Sequence, residues 1–196
     1  MEDPAESAPD SARDRLLNAA AVLFYDNGIA GTGIDAIVRR AGVAKKSLYN
    51  NFASKSDLVS QYLAARHAEW LDLYRARLDH AATPCDRVLA VFDAYRDHAE
   101  HAYEQGFRGC GLLNAAAELT AGDEGRQAVR RHKEEVEALL LAPLAELLPQ
   151  DPGRAGRTAR QLAFLLEGAM ARAGLEGRSA CLLEARAMAR DMLEAL

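Results

Sequence analysis

Residues with β-branched side chains are scarce in this chain: 8 Val, 3 Ile and 4 Thr stand against 40 Ala and 27 Leu. That balance starves strands and favours helices, so the fold class expected is all-α. Long apolar runs are missing too. The longest, residues 138–145, falls far short of the roughly 20 residues a membrane helix needs, and the opening Met-Glu-Asp-Pro-Ala-Glu-Ser is acidic where a secretion signal is basic and then apolar. No membrane partner and a cytoplasmic location are expected. Three cysteines at wide spacing, Cys85, Cys110 and Cys181, contain no Cys-x-x-Cys pair. This suits reduced thiols better than a disulfide framework or a structural zinc site. The net charge of −5 also removes the simplest argument for nucleic-acid binding, a chain basic throughout, and directs attention to how charge is distributed.

Signatures of catalysis are equally absent. Gly106-Phe-Arg-Gly109-Cys-Gly111 has the spacing of neither a phosphate-binding loop nor a dinucleotide fingerprint. No His has Glu three positions earlier, as a di-iron bundle requires. His98 and His101 form only an isolated His-x-x-His, which reads best as a solvated helix face. No catalytic residue, metal site or cofactor is expected, and the chain is not read as an enzyme.

What is present is helical punctuation. Residues 1–10 hold two of the six prolines and no apolar periodicity, and read as a disordered tail. Ser11 with Asp14 starts a first helix that Gly28 ends. Thr32 with Asp35 marks the start of a second, closed by Gly42, and a third short helix fits residues 45–51 around Leu48 and Phe52. Ser54 with Asp57 opens a long amphipathic helix, Thr83-Pro84-Cys85-Asp86 opens a fifth, and a short helix spans about residues 112–119. A long helix over 123–148, kinked at Pro143, precedes two final helices over 154–174 and 179–195. About nine helices are expected. They divide into a helix-turn-helix domain over 11–55 and a helical domain over 56–196.

Charge separates these parts. Residues 34–66 carry Arg39, Arg40, Lys45, Lys46, Lys55 and Arg66 against only Asp35 and Asp57, while the flanking regions are net acidic. Two short helices joined by a tight glycine turn, with the chain's one positive field upon them, suit a helix-turn-helix whose second helix enters the DNA major groove. Two core helices with a charged rim would account for the apolar positions equally well.

The residues themselves decide between these readings. Leu17-x-x-Ala20-x-x-Leu23-Phe24-x-x-x-Gly28-x-x-x-Thr32-x-Ile34-x-x-Ile37-x-x-x-Ala41-Gly42-Val43, continued by Lys45-x-Ser47-Leu48-Tyr49-x-x-Phe52-x-Ser54-Lys55-x-x-Leu58, resembles the DNA-binding domain of TetR-family transcriptional regulators. The resemblance implies double-stranded operator DNA as a partner, an unknown small-molecule effector, and a homodimer. It departs at Lys46, where many members carry a small residue, and at Val38, where Ala is common. Thr32, Lys45, Lys46, Ser47, Tyr49, Asn50, Ser54 and Lys55 are the candidate DNA-binding residues. The lysines supply countercharge, Thr32 and Ser54 stand at helix starts suited to phosphate, Tyr49 offers a hydroxyl, and Asn50 can bond adenine in a bidentate way.

The remaining helices hold the candidate effector residues Trp70, Phe92, Tyr95, Cys110, Asn114, Glu118, Phe164 and Glu167. With Asn114, Glu118 and Glu167 as the only polar anchors among them, an uncharged or weakly cationic, partly aromatic molecule is expected. Arg130, Arg131, His132 and Lys133 are opposed by Glu134, Glu135 and Glu137 and read as a solvated face. Residues 154–195 are expected to form the dimer interface, through Leu162, Leu165, Leu166, Ala169 and Met170 on one helix and Leu182, Ala185, Met188 and Met192 on the other. The alternative is a helical small-molecule-binding or enzymatic bundle without DNA function.

Overall fold

In a computed structural model, residues 11–196 are described, and the tail read at 1–10 lies outside them. Among the described residues there are nine helices and no strand: α1 (Ala12–Asn27), α2 (Ile34–Ala41), α3 (Lys45–Asn51), α4 (Lys55–Leu78), α5 (Pro84–Ala99), α6 (Gly111–Glu118), α7 (Glu124–Leu147), α8 (Pro152–Glu176) and α9 (Ala180–Glu194). None is long and apolar enough to cross a membrane. The chain separates into two units at Tyr62 and Leu63, inside α4. The sequence puts this boundary at the start of α4. The first turns of that helix belong with α1 because Tyr62 is buried there, its ring 5.4 Å edge-on to Phe24.

In the first unit, α1 begins where the Ser11 hydroxyl accepts the Asp14 N–H at 3.1 Å. α2 ends at Gly42, whose φ of 64° lies in the left-handed region, so its N–H can turn back to the carbonyls of Val38 and Arg39. That reversal separates α2 from α3 by three residues and lets both pack on α1, with Ile37, Leu48, Phe52, Leu16 and Ala20 all buried. Ser54 accepts the Asp57 N–H at 3.0 Å while the Asp57 carboxylate accepts the Ala53 N–H at 2.8 Å. The start of α4 is therefore doubly capped.

The second unit is built around α5. Thr83 and Asp86 cap it reciprocally and Pro84 fills its first position. Val88, Leu89, Ala90, Val91 and Phe92 are buried in an unbroken run, followed by Ala94, Tyr95 and Ala99. Five consecutive buried residues span more than one helical turn and need cover on several sides, and α5 packs against α7, α8 and α9. Beyond the capping Asp86, its other two acids find cations: Asp93 accepts from Arg186 at 2.9 Å, and Asp97 pairs with Arg77 at 2.5 Å. Pro143 sits inside α7, which continues to Leu147.

One backbone contact in this unit admits no side chain. A Cβ placed on Gly174 of α8 would lie 2.6 Å from the Cα and 2.7 Å from the N of Gly109, which itself has φ of +88°. Both positions therefore require glycine.

Candidate functional site

Seven residues make α3, and their exposure alternates sharply. Leu48 faces the core, while Lys45, Lys46, Tyr49 and Asn50 lie on the opposite, solvent-facing side. The spacing i, i+1, i+4, i+5 places these four on one helical face. Tyr49 is 53% exposed, a large aromatic ring held in water with no core to fill. Lys45 pairs with the Asp35 carboxylate of α2 at 2.9 Å. That hydrogen bond and charge raise the Lys45 pKa above the ordinary lysine value.

The other DNA candidates also make contacts within the first unit. Ser47 offers its carbonyl to the Asn51 side chain at 2.8 Å. Lys55 donates to the Ile29 carbonyl at 2.6 Å, tying the start of α4 to the turn after α1. Ser54 caps α4. Thr32 departs from the reading at helix starts. It does not cap α2, which begins at Gly33 without a side-chain cap. Instead it is 2% exposed and its hydroxyl donates to the carbonyls of Leu23 at 3.0 Å and Gly28 at 2.7 Å, satisfying the last turn of α1.

In the second unit, polar side chains gather inside the bundle around Tyr95. Lys133 meets the Glu167 carboxylate at 2.7 Å, donates to the Tyr95 hydroxyl at 3.1 Å and lies 3.8 Å from the Cys110 sulfur. Burial opposes the Lys133 charge, but Tyr95, Cys110 and Glu167 around it hold its pKa above the usual lysine value. Burial also pushes the Tyr95 phenol up. His132 lies 3.5 Å from the Tyr95 hydroxyl and 2.8 Å from His67, whose other ring nitrogen is 3.3 Å from Glu135. Trp70 packs on this group, its ring centre 5.1 Å from Tyr95 and 5.3 Å from His132.

Similarity to known proteins follows the same division. The family model described as bacterial regulatory proteins, tetR family, matches residues 16–62. Over 100 residues the chain is 36% identical to the HTH-type transcriptional repressor KstR2 of Mycolicibacterium smegmatis, covering 50% of this chain and 48% of the repressor, so about half of that relative's length is matched. A solved TetR-family transcriptional regulator from Streptomyces coelicolor is 29% identical, with 94% of this chain and 95% of that one covered at a TM-score of 0.84. A TetR-type transcriptional regulator from Streptomyces avermitilis is 30% identical across 94% of this chain and 99% of that one, with a TM-score of 0.73. The chain belongs to the TetR family.

Within this TetR-family protein the effector candidates scatter more than the sequence implies. Trp70, Tyr95, Cys110 and Glu167 come together, and Phe92 is fully buried on α5. Asn114 is half-buried and donates to the Arg108 carbonyl at 3.1 Å, while Glu118 is exposed at the end of α6. Phe164 is no interior residue. At 67% exposure it borders an open groove of about 520 Å³ on α8 and α9, whose apolar side includes Leu165, Ala169 and Met188 and whose rim carries Arg172, Glu176, Arg178 and Glu184. Of the positions expected at a dimer interface, Leu162, Leu166, Met170 and Leu182 are instead buried within the chain.

The sequence pattern misses two interior residues, His132 and Lys133. The cluster 130–133 reads as solvated because Arg130 does pair with Glu134 on the surface, at 2.9 Å. Yet Val129, His132, Val136 and Leu140 are all buried and lie at spacings of three and four. The inward stripe therefore passes through the charged cluster. Lys133 also supplies the cation that the expected polar anchors lack.

Proposed function

We propose that this TetR-family protein is a ligand-responsive transcriptional regulator, not an enzyme. It binds a palindromic operator as a homodimer, represses from it, and is released by a small molecule. The α3 face carries this reading: Lys45, Lys46, Tyr49 and Asn50 stand together in solvent on a short helix whose other side is core. That arrangement suits the major groove, with the lysines and Tyr49 on phosphates and Asn50 on a base edge. Ser47, Ser54 and Lys55 are assigned to the same contact, and the Thr32 hydroxyl holds the turn before α2 through the carbonyls of Leu23 and Gly28. Repression follows the function named for KstR2.

Dimerisation is assigned to residues 154–195, in particular to the groove bordered by Phe164 and Met188. Exposed Phe164, Leu175, Leu183 and Met188 are large apolar side chains on the last two helices, which a second copy would cover in a twofold four-helix arrangement.

Selection of bound sequences from random duplex DNA tests the reading directly. Recovery of a palindrome supports it, and the absence of any salt-dependent duplex binding overturns it. Lys46→Ala should weaken binding to every sequence and lower the log–log salt slope by about 0.9 for each phosphate it no longer neutralises. Asn50→Ala should relax one position in each half-site at a cost of about 1–3 kcal/mol. Asp35→Asn is expected to act in the opposite direction, tightening non-specific binding, because Lys45 is freed from a competing carboxylate. Filter binding across a salt series resolves all three.

A further inference from the structure

Hydrogen-bonding groups buried in a helical bundle are normally matched among themselves. In the second unit the match is incomplete. Trp70 is 3% exposed, and its indole N–H has no acceptor among the described residues. It lies against Tyr95, whose hydroxyl receives the Lys133 ammonium. The ammonium also sits 5.2 Å from the centre of the Tyr95 ring. The indole N–H is thus one donor left over beside this ring, and the carboxylate that balances Lys133, that of Glu167, is 30% exposed against 19% for the lysine.

We propose that the effector is a monocarboxylic acid with an apolar, aromatic body, whose carboxylate replaces Glu167 on Lys133 and the Tyr95 hydroxyl. This deepens the effector-responsive reading given above and rests on it. The exchange conserves charge, since one carboxylate leaves the lysine as another arrives, and the displaced Glu167 turns toward water it already touches. A dianionic phosphate would bring a second charge that a single buried ammonium leaves uncompensated. A cationic ligand would meet Lys133 as a like charge, and a neutral amide would have no means of displacing Glu167. The rings of Trp70, Tyr74 and Tyr95 form an aromatic wall, Trp70 and Tyr74 being stacked 5.8 Å apart, and the indole N–H offers a donor to a further oxygen of the ligand.

The exchange also has a route to regulation. Glu167 lies on α8 between Phe164 and Gly168, both of which border the exposed groove. Releasing it severs an ionic tie between α7 and α8, the helix assigned to the dimer face. Acid binding thereby biases that face, and the coupling is reciprocal.

Trp70 is the only tryptophan in the chain, so its fluorescence reports the site without a label. Full-length protein, free of DNA, is titrated with benzoate, phenylacetate, cyclohexanecarboxylate and octanoate, with the primary amide of each, and with inorganic phosphate. Emission and melting temperature are followed together. The aromatic acids are expected to change both, the amides and phosphate neither. Glu167→Gln removes the competing carboxylate and should bind the same acids about tenfold tighter or better, whereas a purely structural ion pair would give weaker or unchanged binding. Lys133→Met should abolish the response, and should that variant not fold, Glu167→Gln carries the test alone. Amides or phosphate acting as strongly as the acids, or no acid response in either wild type or Glu167→Gln, would overturn the proposal. Failure to select an operator would count against the DNA-binding reading and leave these DNA-free titrations standing.

Discussion

Replacing Phe164 and Met188 together by glutamate should convert the protein to a monomer and remove nearly all operator affinity. Both side chains are more than half exposed in the single chain, so the change should leave each subunit folded. This distinguishes it from a substitution at Leu166, which is 1% exposed and would damage the core instead. Twofold symmetry doubles the effect, because every change appears on both sides of the interface. Four carboxylates replace the apolar side chains at this contact; even with Arg172 and Arg178 on the groove to offset part of the charge, a net cost of about 1 kcal/mol each weakens association by about three orders of magnitude. A monomer then reaches one half-site only. Sedimentation at micromolar concentration, with circular dichroism to verify folding, checks the prediction; a double variant that still sediments as a dimer would place the interface elsewhere.

Stability should fall steeply on mild acidification, well before carboxylates protonate. Burial, with Lys133, His67 and His98 nearby, lowers the His132 pKa from 6.5 to about 3. His98 is not on the solvated face that its spacing suggests but half-buried beside the Tyr103 hydroxyl, at 3.2 Å, and burial lowers its pKa to about 4, assisted by Arg66, His101 and Lys133. Both rings are therefore neutral in the folded protein at pH values where the unfolded chain protonates them. Between pH 6.5 and the folded values the unfolded state binds more protons, so stability decreases as pH falls. Together the two histidines should remove about 5 kcal/mol between pH 7.5 and 4.5. Urea denaturation at steps of half a pH unit measures it. In His132→Gln the same series should show about half the slope; an unchanged slope would show that His132 does not set the acid sensitivity.

Local signals in the sequence carry the helices well. Ser11, Gly42 and Thr83-Pro84 each act on neighbours within four residues, and each caps a helix where expected. The α3 face is legible for the same reason, since a seven-residue helix with Leu48 inward leaves little choice about where Lys46 and Asn50 point. What escapes depends on contacts distant in the chain. Thr32 fits a start signal, but the carbonyls of Leu23 and Gly28 offer its hydroxyl better partners. Lys133 looks like one of several surface cations until Glu167, 34 positions later, is brought beside it. Phe164 reads as interior because aromatic residues usually are buried, and nothing local says that the outer face of α8 is apolar as well.

The glycine contact between α8 and the segment before α6 bears on the order in which the chain assembles. Gly109 and Gly174 are far apart in sequence and meet backbone to backbone. Neither contributes side-chain surface that could draw the pair together early. Their closure is expected to follow the condensation of α5, α7 and α8, as a late event formed after the transition state. A methyl group at Gly174 should consequently leave the refolding rate nearly untouched and accelerate unfolding, so that the penalty of this lock shows in how long the native state lasts and hardly at all in how quickly it is reached.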